Sequence, residues 1–98
     1  MEGNDVIQYQ VRVTPEDGLH LRPISALVRK ATTFSSSISL TFDGRKADVK
    51  SAFDLMLLSA PCGALLNLEV SGADAQAASA AILELFEQGF AIPDPAAG

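Results

Sequence analysis

The stretch DGLHLRPISALVRK, residues 17–30, is where the chain changes its period, and it holds the sole histidine, His20. Upstream, Ile7, Tyr9, Val11 and Val13 alternate with polar residues, as in a strand with one buried face. Pro15 to Gly18 interrupts that alternation with loop-forming residues. From Leu21 onward, Ile24, Leu27, Val28 and Ala31 fall at i, i+3, i+4 and i+7, one face of a helix. Pro23 suits the first helical turn, where a missing N–H is no loss. The spacing predicts a strand, a short loop, and a helix that opens with an imidazole and, two positions on, a guanidinium.

Downstream the alternation returns in FSSSISLTF, residues 34–42, through Ile38, Leu40 and Phe42. Asp43-Gly44 is a tight-hairpin signal into a short strand carrying Ala47 and Val49. Ser51 opens a second helix, SAFDLMLLSA, with Asp54 placed as in a capping box and with Pro61 and Gly63 ending it. ALLNLEVSG, residues 64–72, is a fourth strand with Leu66, Leu68 and Val70 on one face. Asp74 is placed to cap a third helix whose stripe is Ala78, Ala81, Ile82, Leu85 and Phe86; Gly89 closes it, and residues 91–98 form a tail. The order β-α-β-β-α-β-α predicts an α/β (α+β) open-faced sandwich. Its four-stranded, mainly antiparallel sheet carries three helices on one face. One domain over residues 1–98 is expected, with its core at about residues 6–90.

Composition narrows the function. Hydrophobic residues make up 48% of the chain, which argues for a packed core. No apolar run approaches the roughly 20 residues of a membrane helix, and the acidic N-terminus has no signal-peptide character. One cysteine, Cys62, excludes an internal disulfide and offers no zinc spacing. No metal or cofactor is expected, and the location expected is cytoplasmic. A net charge of −5 argues against general nucleic-acid binding.

The chemistry centres on His20. The first N–H groups of a helix lack internal partners, and the macrodipole adds positive charge there, so an anion is stabilised at that point. Arg22 adds planar donors suited to phosphate oxygens. Gly18 permits the sharp turn that presents the ring. Neutral imidazole is a nitrogen nucleophile near neutral pH. Two readings stand at this point: a structural capping histidine, and a group that accepts a phosphoryl. A serine hydrolase lacks a nucleophile elbow, and the glycine-rich phosphate loops are absent. A ferredoxin-like ligand-binding regulatory domain shares the element count and is the main rival.

The residues also carry a family pattern. GLHLRP followed by a helix closely resembles the active-site segment Gly-Leu-His-Ala-Arg-Pro of the HPr family, histidine phosphocarriers of the bacterial phosphoenolpyruvate:sugar phosphotransferase system. VKSAFDLMLLSAPCGALLNLEVSGADAQAA, residues 49–78, resembles that family's second motif, and the spacing between the two needs no gap. The resemblance spans about residues 6–90. It implies that His20 takes a phosphoryl on Nδ1 from phospho-enzyme I and passes it to an enzyme IIA domain. It implies that Arg22 contacts the phosphate and that Pro23 fixes the helix start. Ser51 matches the family's regulatory serine, the target of HPr kinase/phosphorylase; the same residue is equally read as an N-cap alone.

The resemblance implies a monomer that is a stoichiometric intermediate rather than an enzyme, with no membrane insertion. Leu21, Arg29, Phe53, Asp54 and Met56 are the residues expected on the partner face, and some of Phe53, Leu55, Met56 and Leu57 must be core. Leu21 and Ile24 stand where the family has small residues, and Asp54 where glycine or lysine is usual. The alternative is a regulatory interaction module controlled at Ser51, with little part in sugar transport.

Overall fold

The computed structural model describes residues 6–90; the expected tail at 91–98 lies outside them. Seven elements follow the expected order: β1 Val6–Arg12, α1 Leu21–Ala31, β2 Ser37–Phe42, β3 Arg45–Asp48, α2 Ala52–Leu58, β4 Leu65–Ser71 and α3 Ala75–Glu87. The strands form one sheet in the order β1-β4-β2-β3, and every neighbouring pair is antiparallel. The expected hairpin turns at Asp43 and Gly44, both with positive φ, as a two-residue turn between right-twisted strands requires.

One face of the sheet is apolar. Register places Val11 opposite Leu66, Ile38 opposite Val70, and Leu40 opposite both Ala47 and Leu68. These residues are buried with Ile24, Leu27 and Ala31 of α1, Leu55 and Leu58 of α2, and Ala78, Ile82 and Phe86 of α3. Period 2 in the strands thus meets period 3.6 in the helices in one layer of side chains. The opposite face is polar. There Gln8 donates to Glu69 at 3.2 Å, and Lys46 pairs with Glu69 at 3.4 Å.

The burial pattern corrects several details. Tyr9 is exposed and Ile7 half-buried, because β1 is an edge strand and its alternation fixes a face but not a depth. Helix α2 ends before Pro61: Ser59 takes a left-handed conformation, φ 50°, and its N–H bonds the Met56 carbonyl. In α3, Ala81 and Leu85 are half-buried while Ala75 and Ser79 are buried, so the buried stripe is rotated from the one expected. Gly89 follows α3 with φ 63° and donates to the Phe86 carbonyl. Asp74 occupies the N-cap of α3 but makes no side-chain cap bond. Its carboxylate instead accepts from the Ser35 and Ser36 N–H groups, each at 2.9 Å, and from the Ser36 hydroxyl. The Ser36 hydroxyl, and after it the Ser35 N–H, hold the Asp74 carboxyl at about 2, below its usual range.

Candidate functional site

The first turn of α1 lies at the end of a loop whose path is fixed from both sides. Val13 N–H donates to the Ala64 carbonyl at 2.9 Å, and Gly63 N–H returns a bond to the Val13 carbonyl at 2.7 Å. Gly18 N–H closes a turn onto the Pro15 carbonyl at 2.9 Å, and φ +74° at Gly18 is a conformation that favours glycine. Leu19 N–H then donates to the Ala60 carbonyl at 2.8 Å, and the Leu19 side chain is buried. The loop between α2 and β4 therefore braces the segment that delivers His20.

His20 is the N-cap residue of α1, with extended backbone (φ −97°, ψ −167°), and its carbonyl accepts the first helical bond from Ile24 N–H at 3.0 Å. Its side chain makes no cap hydrogen bond. The histidine holds the capping position without capping. Pro23 is buried and has no N–H to satisfy, so the free donors at this end are the N–H groups of Leu21 and Arg22, which bond no group among the described residues. A half-buried imidazole, two outward N–H groups and the exposed Arg22 side chain thus share one helix end. Chemically, that is a nitrogen nucleophile next to an anion cradle. Among the described residues, no group of three or more His, Cys, Asp or Glu side chains is placed to hold a metal ion.

The second group of expected residues lies on α2, which packs against α1. Ser51 is its N-cap, and the hydroxyl accepts from Asp54 N–H at 3.2 Å. The reciprocal half of a capping box is missing. Asp54's carboxylate accepts from the Asp48 N–H at 3.2 Å, while Ser51 N–H donates to the Asp48 carbonyl at 2.9 Å. Asp54 is half-buried, and its carboxylate ties α2 back to β3.

Leu55 and Leu58 are core residues, whereas Phe53 is 69% exposed, Met56 56% and Leu57 52%. Leu21, beside His20, is 70% exposed. The apolar residues expected on a partner face are therefore outside the core. Arg29 is exposed in the last turn of α1, seven residues from Arg22 and so on the same side of the helix.

Sequence reasoning missed Ala60 and Gly63, whose carbonyl also accepts from Arg12 at 3.1 Å. Pro61 and Gly63 signalled a loop, but nothing local signals which distant segment a loop supports.

The chain is similar to known phosphocarrier proteins. A family model described as the PTS HPr component phosphorylation site matches residues 7–88. The phosphocarrier protein HPr of Treponema pallidum (strain Nichols) is 40% identical over 80 residues, covering 82% of this chain and 91% of that protein. The phosphocarrier protein HPr of Xylella fastidiosa (strain Temecula1 / ATCC 700964) is 34% identical over 85 residues, covering 87% and 96%. A crystal structure of HPr from Thermoanaerobacter tengcongensis is similar with a TM-score of 0.84 at 30% identity, over 90% of this chain and 99% of that one.

Proposed function

Because the chain belongs to the HPr family of phosphocarrier proteins of the phosphotransferase system, we propose that His20 is the residue that carries the phosphoryl group. The observation that supports this reading is an N-cap histidine that leaves its own helix uncapped. The Nδ1 lone pair forms the N–P bond, and the bond from phosphorus to the donor breaks, its electron pair leaving with the donor. The ring keeps its Nε2 proton or releases it to solvent. The oxygens of the transferred group meet the Leu21 and Arg22 N–H groups, the positive end of α1 and the Arg22 guanidinium. Pro23 holds the turn that aims them. The donor is enzyme I in its phosphorylated form, and the acceptor is an enzyme IIA domain. The protein works as a monomer and is consumed and regenerated in each transfer rather than turning over as an enzyme.

Leu21, Phe53 and Met56 form the apolar part of the docking face, Arg29 its basic rim, and Asp54 an acidic point beside it. Such small faces suit transient complexes. Ser51 is the regulatory position, a substrate for an HPr kinase/phosphorylase where one is present. A phosphate there adds about −1.5 to −2 charges next to Asp48 and Asp54, which offsets the gain from the α2 dipole.

The test is intact mass after incubation with phosphoenolpyruvate and enzyme I. The expected result is one acid-labile phosphate on the parent and none on His20→Ala. A labelled His20→Ala overturns the assignment, and an unlabelled parent favours the module regulated at Ser51.

A further inference from the structure

Gly18 is held at every backbone group. Its N–H bonds the Pro15 carbonyl, and its own carbonyl accepts from His20 N–H at 3.0 Å. Between those bonds it lies against the loop that follows α2. A Cβ added at Gly18 would stand 2.6 Å from the Ala60 carbonyl oxygen, 3.0 Å from the Pro61 Cα and 3.3 Å from the Cys62 nitrogen. All three are backbone atoms, which cannot swing aside as a side chain would. Ala60 is itself buried, and its carbonyl already accepts from Leu19 N–H. Any other L residue at position 18 meets two obstacles: the positive φ, and the seat itself.

We propose that Gly18, seated on the Ala60–Cys62 backbone, is a positioning residue that sets where His20 stands relative to the open N–H groups of α1. The proposal rests on the phosphocarrier reading above. The physical route is short. A side chain at position 18 forces the turn away from Ala60 by most of an ångström, and the bond between the Gly18 carbonyl and His20 N–H passes that displacement to the histidine. Transfer geometry is sensitive on that scale, since a misplacement of about 1 Å costs on the order of 100-fold in rate. The effect falls on the rate within the donor complex. The exposed apolar residues and cations of the docking face are untouched, so donor affinity stays the same.

The hairpin supplies a matched control. Gly44 has φ +79°, close to that of Gly18, but a Cβ there meets nothing within 4 Å. Gly44→Ala therefore carries the backbone strain without a collision, in a hairpin that β4 separates from β1 and the His20 loop. The experiment measures phosphoryl transfer from phospho-enzyme I at rising donor concentration, thermal unfolding, and the nitrogen-15 resonances of the His20 ring. Gly18→Ala should lower the saturating transfer rate by about 10- to 100-fold, leave the half-saturating donor concentration unchanged, and move the ring signals. Gly44→Ala should lose comparable thermal stability, transfer at the parent's rate and leave the ring signals in place.

The proposal is overturned by a Gly18→Ala variant that transfers at the parent's rate with unmoved ring signals. It is overturned equally if Gly44→Ala slows transfer as much, since stability alone would then account for the loss. Should Gly18→Ala fail to fold, Ala60→Gly loosens the seat without any collision, and slower transfer with shifted ring signals is expected; parental behaviour there overturns the proposal. A parent that takes no phosphoryl overturns the underlying reading instead, and the ring signals still decide whether Gly18 sets the position of His20.

Discussion

Two helices in this protein begin with a residue able to accept a hydrogen bond from the turn that follows, and they use it oppositely. At the start of α2 the Ser51 hydroxyl accepts from Asp54 N–H, and the helix end is closed by its own side chain. At the start of α1 the His20 ring makes no cap bond, and two N–H groups have no partner among the described residues. A closed end contributes stability, since a Ser N-cap is worth about 1 kcal/mol over Ala. An open end gives that up and keeps a positive, donor-rich spot beside the imidazole. Under the proposed function, the two ends separate a stabilising use of helix polarity from a chemical one. The brace from Ala60 and Gly63 holds the open end in place without filling it.

Closing the open end gives the largest expected effect. His20→Ser places a true capping hydroxyl where the imidazole stands, so phosphoryl acceptance should vanish while stability rises by about 0.5–1 kcal/mol. Intact mass after phosphoenolpyruvate and enzyme I reads the first change, and denaturant unfolding reads the second. A variant no more stable than His20→Ala would mean that the α1 end is not open to capping.

The reverse manoeuvre is smaller. Ser51→Ala opens the α2 end and should cost about 1 kcal/mol, a fall of roughly 4–8 °C in melting temperature for a domain of this size, with phosphorylation of His20 retained. Loss of phosphoryl acceptance in Ser51→Ala, with folding intact, would break the separation between the two ends.

The third helix sharpens the contrast, because Asp74 stands at its N-cap and turns its carboxylate to Ser35 and Ser36. Its folded pKa, about 2, lies below the ordinary 3.8. The stability it contributes is therefore complete above pH 4 and lost as the pH falls towards 2. Asp74→Asn should melt below the parent at pH 5–7, and the gap should close between about pH 4 and 2. A gap that persists at pH 2 would show that the clamp works through shape rather than charge. We expect this to be the smallest of the three effects, since the carboxylate is only half-buried.

Much of this arrangement was legible in the chain. The change of period after Gly18, the Asp43-Gly44 turn and the Ser51 cap are local signals, and each marks an element the structure contains. GLHLRP pointed to the family, and the family is the right one. Depth was not legible. Tyr9 repeats with Val11, yet only Val11 is buried, because the sheet order places β1 at an edge. Polar destinations were hidden too: Asp54 looked like half of a capping box and bonds Asp48 instead.

The order of the elements, the residue at the head of each helix and the position of the sole imidazole could be read along the chain, because periodicity, turn chemistry and caps act within a few residues. Packing alone set the seat of the His20 turn on the Ala60–Gly63 loop, the edge position of β1 and the clamp of Asp74 on Ser35 and Ser36. Those outcomes follow from which distant segments the sheet and helix packing bring side by side, and a hydrogen bond goes to the partner that packing supplies.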